Sequence, residues 1–173
     1  LYGWAVGSFG AIIATTDGGL TWKAQSSGTS EHLFSVSFAD KKTGIAVGAN
    51  GTLRITTSGG AEWESRMVTT NALTGVAFTS AKRAMAVGYG GTILQTDDGG
   101  ANWTITDPLV TTDLLSVFFS DETHGWASGD GGVVLTTGDG GKIWLPVNVR
   151  TNPRLITVYF ADEFTGWAAG ADG

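Results

Sequence analysis

Tryptophan recurs at Trp22, Trp63, Trp103 and Trp144, at steps of 41, 40 and 41 residues. Each closes one eight-residue phrase, Thr15-Thr16-Asp17-Gly18-Gly19-Leu20-Thr21-Trp22 in its first copy, with the others at Thr56 to Trp63, Thr96 to Trp103 and Thr137 to Trp144. A second phrase, Gly3-Trp4-Ala5-Val6-Gly7, keeps the same beat at Gly44 to Gly48, Ala84 to Gly88, Gly125 to Gly129 and Gly166 to Gly170. A period near 40 residues means one supersecondary unit copied along the chain, and it constrains the fold more than any local signal.

The unit reads as four short strands. Leu33 to Ala39 alternates without a helical period, placing Leu33, Ser35 and Ser37 on one side and Phe34, Val36 and Phe38 on the other. Asp40 to Gly44 is a turn and Ile45 to Gly48 a strand of small residues. Asn50-Gly51 suits a hairpin turn with positive φ. Leu53 to Thr57 and Glu62 to Met67 complete the set. The first strands of later units all carry Val two residues before Phe, as in Val36/Phe38, Val76/Phe78, Val117/Phe119 and Val158/Phe160. Four antiparallel strands in about 40 residues describe one propeller blade, and a blade buries its faces only against neighbours. The expected fold is therefore all-β: a β-propeller of four-stranded antiparallel blades. Residues 1–173 form a single propeller segment, with a partial blade at 1–28, blades at 32–68, 72–107 and 113–149, and a partial blade at 155–173. Either Leu155 to Ala161 closes a four-bladed ring or, as preferred, the chain is an arc whose open blade edges are covered by further blades or another chain.

The spacing of the Trp phrase has a physical reason. Its Thr (Thr15, Thr56, Thr96, Thr137) and its Asp (Asp17, Asp98, Asp139; Ser58 in the second copy) bond locally to the turn's backbone. Its Gly (Gly19, Gly60, Gly100, Gly141) takes a conformation closed to other residues, and its Trp covers the turn. A Ser in place of Asp predicts the second turn to be the loosest. The phrase resembles the Asp-box, or BNR, hairpin of sialidases and sortilin-type receptors. With the Gly-Trp-Ala-Val-Gly and Val-x-Phe elements the chain resembles the Ycf48/HCF136-like family, which includes a photosystem II assembly factor in plants and cyanobacteria. That resemblance implies a propeller of about seven blades, an extracytoplasmic location (periplasm, thylakoid lumen or secreted), and a non-catalytic scaffold whose partners are proteins, including subunits of a membrane or photosynthetic complex.

Composition narrows the alternatives. A net charge of −6 and a pI near 4.7 argue against nucleic-acid binding. No uninterrupted apolar stretch is long enough for a direct membrane span. Without cysteine there are no disulfides, thiolate metal sites or cysteine nucleophiles. His32 and His124 lie in turns at opposite ends of a blade, and the Asp-Gly-Gly turns lack the ligand density of calcium loops, so no metal or cofactor is expected. A sialidase- or glycosidase-type enzyme with its catalytic residues outside this segment is the main alternative, with a carbohydrate-binding or adhesive repeat protein behind it. Arg54, Arg66, Arg83, Arg150 and Arg154 do not recur in phase, however. The acid pairs Asp97-Asp98, Asp121-Glu122 and Asp162-Glu163 fall in turns, where acids serve local bonding. Trp4, Trp126 and Trp167 interchange with Ile45 and Met85, which points to packing. The expected protein-binding residues are Arg150, Arg154, Tyr89 and Phe9, at the end shared by blade-to-blade loops and second-to-third strand turns. Asp130 and Asp172 fall in the same set of turns, and the alternative for Arg150 and Arg154 is simple pairing with nearby acids such as Asp113.

Overall fold

Turn chemistry cuts the chain into strands of three to six residues. The computed structural model describes residues 1–106, 110–149 and 153–171. The first sheet holds β1 (Gly3–Val6), β2 (Ala11–Thr15) and β3 (Lys23–Ser26). The second holds β4 (Leu33–Phe38), β5 (Gly44–Gly48), β6 (Leu53–Thr56) and β7 (Glu64–Arg66). The third runs β8 (Leu73–Phe78), β9 (Ala84–Gly88), β10 (Ile93–Thr96) and β11 (Thr104–Thr106). The fourth runs β12 (Leu114–Phe119), β13 (Gly125–Gly129), β14 (Val134–Thr137) and β15 (Leu145–Val147). The fifth pairs β16 (Leu155–Phe160) with β17 (Gly166–Gly170). Every pairing is antiparallel between strands consecutive in the chain.

Strands β1, β4, β8, β12 and β16 lie beside one another in chain order, so the sheets stand as vanes with their first strands innermost. β16 pairs with β17 and belongs to a different sheet from β1. The described residues thus form an open arc and not a four-bladed ring.

Simple alternation along the first strand fails at one point. Leu33 pairs with Gly48 and Ser35 with Val47, leaving Phe34 as an unpaired bulge residue. The same shift recurs at Leu73/Gly75, Leu114/Ser116 and Leu155/Thr157. An extra residue flips the side-chain face beyond it. Leu33 therefore lies buried on the face of Val36 and Phe38, not with Ser35 and Ser37, while Phe34 and Ile156 are left exposed. The signal was present in the sequence, because leucine occupies this position in all four units.

The core consists of layers between blades. One layer joins Ile45, Val47, Leu53 and Ile55 of the second sheet to Leu73, Val76 and Leu94 of the third. Another joins Met85, Val87 and Ile93 to Leu114, Val117, Leu135 and Trp144. A third joins Ile12 to Leu33, Ala46 and Trp63. Each fully buried aliphatic side chain contributes roughly 1.5–3 kcal/mol, so neighbouring blades hold each other in place. β5, β9 and β13 are buried along their length, whereas β17 is exposed along its own.

Close approach dictates both glycines of β5, β13 and β17 and the single glycine of β9. A Cβ on Gly48 would stand 2.0 Å from the His32 carbonyl oxygen, and Gly88, Gly129 and Gly170 meet equivalent carbonyls as closely. A Cβ on Gly44 would stand 2.4 Å from the Phe38 ring, with the same clash at Gly125 under Phe119 and Gly166 under Phe160. Blade three has Ala84 here, and Phe78 packs against the layer that contains it.

Candidate functional site

The Trp phrase builds one end of each blade. In the first copy Thr15 Oγ1 donates to Asp17 Oδ1 at 2.7 Å while accepting the backbone N–H of Gly19 at 3.0 Å. Asp17 accepts the N–H of Thr21 through Oδ1 and its hydroxyl through Oδ2. Thr96, Asp98, Gly100 and Asn102 repeat the set, and Thr137, Asp139, Gly141 and Ile143 repeat its backbone part. In the second copy Thr56 accepts from Ser58 N and Gly60 N, and Ser58 Oγ still accepts Glu62 N at 3.0 Å. The hydroxyl replaces the carboxylate's backbone role but offers no second oxygen.

These turns are knit to the first-to-second strand turns of their own blades. Gly59 N donates to Lys42 O, Gly99 N to Lys82 O and Gly140 N to Thr123 O. The acids at this end are consumed by local bonds. The hydroxyl and backbone N–H of Thr21, with the hydroxyl of Thr15, hold the Asp17 carboxyl well below the usual carboxylate range. The backbone N–H of Asn102, its amide and the Thr96 hydroxyl hold Asp98 at about 2. Arg83, at 2.6 Å, and Gln95 lower Asp97. The Thr123 hydroxyl and the backbone N–H groups of His124 and Thr123 lower Asp121, and the backbone N–H groups of Phe164 and Thr165 lower Asp162. His124 lies 2.8 Å from Asp121 and 3.6 Å from Glu163 of the next blade, bridging two turns.

Trp63 and Trp144 are buried under these turns, Trp103 is partly buried, and Trp22 in the three-stranded first sheet is 44% exposed. The indoles of Trp22 and Trp103 donate to Gly19 O and Gly100 O. Trp63 and Trp144 instead meet Phe38 and Phe119 edge to face, and their buried Nε1 atoms have no hydrogen-bond acceptor. The indole of Trp126 stacks on Phe160 of the next blade at 3.6 Å. Trp126 is thus a packing residue, in the position where Ile45 and Met85 enter the neighbouring layers.

The opposite end carries Phe9, Tyr89 and Arg154, each beside a different sheet. Its tips are four-residue turns in which the residue after the strand bonds back to the loop before the blade: Ala49 N to His32 O, Tyr89 N to Ala72 O, Asp130 N to Asp113 O. The next residue is left-handed in the four units where it is described: Phe9 at φ 58, Asn50 at φ 52, Gly90 at φ 64 and Gly131 at φ 66. Asn and Gly tolerate this region; a bulky residue there costs about 1–3 kcal/mol. Asn50 donates to Glu31, and Gly90 N to the Asp113 carboxylate. Arg154 Nε lies 2.8 Å from Asp130 as a charge contact. Arg154 thus pairs with a nearby acid, Asp130, while Asp113 accepts the N–H of Gly90. Phe9 touches His32, ring centroids 5.0 Å apart, and stays 78% exposed. Tyr89 is 41% exposed. Arg150 and Asp172 lie outside the described residues. No cluster of three or more His, Cys, Asp or Glu fit to hold a metal occurs among the described residues. No described helix is long and apolar enough to cross a membrane.

The family model of the photosynthesis system II assembly factor YCF48 matches residues 26–107, which span the second and third blades just described. Over that stretch the chain is similar to the YCF48 family, and its fold is an arc of a β-propeller. Two solved structures share the fold. YCF48 bound to a D1 peptide is similar over 72% of this chain at 25% identity and a TM-score of 0.64. YCF48 from Cyanidioschyzon merolae is similar over 98% at 24% identity and a TM-score of 0.73. The match spans 42% of the first structure and 63% of the second, so this Ycf48-like chain corresponds to part of each. An ancestral GH74 enzyme shares the fold over 98% of this chain and 26% of its own, at 15% identity and a TM-score of 0.75. Among curated proteins, no sequence matches this Ycf48-like chain.

Proposed function

We propose that this chain is a non-catalytic protein-binding scaffold of the assembly-factor kind. It would take a polypeptide of a membrane or photosynthetic complex at the end that carries Phe9, Tyr89 and Arg154, with Arg150 in the adjoining loop, and work on the extracytoplasmic side. The observation that carries this reading is the likeness, at 25% identity, to a YCF48 structure that holds a D1 peptide. Exposed aromatics beside an arginine are the usual content of a protein-binding hot spot.

The acids of these blades weigh against glycosidase chemistry within them. A general acid in that chemistry needs a carboxyl held protonated. Asp97, Asp98, Asp121 and Asp162 are all shifted the other way, by bonds within their own turns or to Arg83. The likeness to the GH74 enzyme is one of fold.

The test is binding of a fluorescent D1 peptide to the chain, read by polarisation. Substituting Arg150 and Arg154 together by Glu, and separately Tyr89→Ala, should each weaken binding by at least ~10-fold, the loss expected of hot-spot residues. Peptide binding unchanged by both variants would remove the site; no binding to the unmodified chain would remove the partner class.

A further inference from the structure

The turn between first and second strands pins one residue at the same place in four sheets. Its carbonyl accepts an N–H from the end of the first strand: Ala39 to Thr43, Thr79 to Arg83, Ser120 to His124 and Ala161 to Thr165. In the fourth sheet that residue is His124. Its turn is closed by Asp121, whose Oδ1 accepts the N–H of Thr123 at 2.6 Å, the N–H of His124 at 2.8 Å and the Thr123 hydroxyl at 2.7 Å. These bonds keep the carboxyl ionised, well below the usual carboxylate range. Oδ2 faces the His124 ring, 2.8 Å from Nδ1. An ionised carboxylate only accepts, and the Thr123 hydroxyl, 3.1 Å from Nδ1, has given its proton to the Asp121 bond. Nδ1 therefore carries a hydrogen whether or not the ring is charged.

The other ring nitrogen decides the state of the joint. Nε2 lies 3.6 Å from Glu163 Oε2, in the turn between β16 and β17. In a neutral ring with its hydrogen on Nδ1, Nε2 turns a lone pair towards that carboxylate. In the imidazolium it carries a hydrogen and part of the positive charge, so attraction replaces repulsion. The turns packed around the ring add Glu122 on its own turn, Asp162 on that of the fifth sheet, and Asp139 and Lys142 on the Trp-phrase turn whose Gly140 N–H bonds Thr123 O. Asp162 and Asp139 are engaged by N–H groups of their own turns. Arg83 holds the equivalent position in the third sheet and pairs with Asp97. A guanidinium stays charged at every working pH, whereas an imidazole does not. We propose that His124 is a proton-operated clasp: protonation fastens the turn of the fifth sheet to that of the fourth through Glu163, and deprotonation releases it. The contact is complete while the ring is charged and is lost as pH rises through its titration. This goes beyond the protein-binding reading above and does not rest on it.

NMR of the isotope-labelled full chain tests this. At about pH 8, above the ordinary imidazole range, the His124 ring should be the tautomer with its hydrogen on Nδ1. As pH falls to about 5.5, the Glu163 carboxyl carbon and the amides of Phe164 and Thr165 should shift in step with the His124 ring. Glu163→Ala should remove the response of the two amides while His124 still titrates. His124→Arg, which borrows the residue of the third sheet, should hold the two amides at one position throughout. His32, at the opposite end of its blade, is the reference and should titrate alike in the parent and in both variants. A hydrogen on Nε2 at about pH 8, amide shifts that survive Glu163→Ala, or amides that still move in His124→Arg would overturn the proposal.

Discussion

The indole of Trp4 lies flat on the ring of Phe38, centroids 3.5 Å apart and planes 10° from parallel, with one partner on the first blade and the other on the second. Phe38 also meets Trp63 edge to face at 5.9 Å. The three rings form a continuous aromatic joint, seated because Gly44 has no side chain. Gly44→Ala would place a methyl 2.4 Å from Phe38. Overpacking of this kind costs about 1–3 kcal/mol. We expect a lower urea midpoint with an unchanged m-value, and loss of the near-ultraviolet dichroism contributed by the Trp4–Phe38 stack. Ala84→Gly in blade three relieves no comparable contact and should shift the midpoint in neither direction by more than ~1 kcal/mol, the usual cost of glycine against alanine.

Trp126 and Trp167 occupy the same position of successive second strands, yet Trp126 is 7% exposed and Trp167 61%. Only Trp126 has the next blade's Phe beneath it. Trp126→Ala should cost about 3–5 kcal/mol, and Trp167→Ala under about 0.5 kcal/mol, as for a surface change. Equilibrium unfolding checks both. Equal effects would mean that these tryptophans are not primarily joint residues.

Much of this architecture could be read from the sequence because the repeat exposes it. A lone Gly-Gly turn says little, whereas four copies 40 or 41 residues apart specify a blade. The bulge at Phe34 was missed because alternation was followed within one strand, where Leu33 looks like a continuation of Ser35 and Ser37. Comparing Leu33, Leu73, Leu114 and Leu155 across units would have revealed it. The strain at Phe9 could not be read at all: the sequence shows Phe9 aligned with Asn50, Gly90 and Gly131, but only coordinates show that the turn keeps its left-handed form when Phe replaces them. The pairing of Arg154 with Asp130 likewise joins two loops distant in sequence.

The buried Thr137 hydroxyl serves two groups at once, accepting the N–H of Gly141 at 3.0 Å and donating to Asp139 at 2.9 Å. Thr137→Val keeps the shape and removes the acceptor. An orphaned buried N–H costs about 1–3 kcal/mol. The variant should unfold earlier by that amount, and the Gly141 amide should exchange with solvent faster than Gly100, whose Thr96 is intact. Thr137→Ser should retain most of the stability, which separates the hydroxyl's role from that of the methyl.

Asp98 supplies the pH dependence of its turn. Its carboxyl is held at about 2, against the ordinary 3.8, by the N–H of Asn102, the Asn102 amide and the Thr96 hydroxyl. A depressed folded value means that the unfolded chain takes up the proton first. The stabilisation is complete above the ordinary value and is lost as pH falls through the folded one. Asp17, Asp121 and Asp139 are lowered by the same kind of local bond and act in the same direction. The melting temperature should therefore be nearly flat from pH 8 to pH 5 and fall between about pH 4 and pH 2. Asp98→Asn should start lower at pH 7, because the new amide faces the Asn102 amide as donor to donor, and should lose less on acidification. The two melting curves should converge towards pH 2. A variant whose curve stays parallel to the parent's throughout would show that Asp98 contributes nothing to the acid limb.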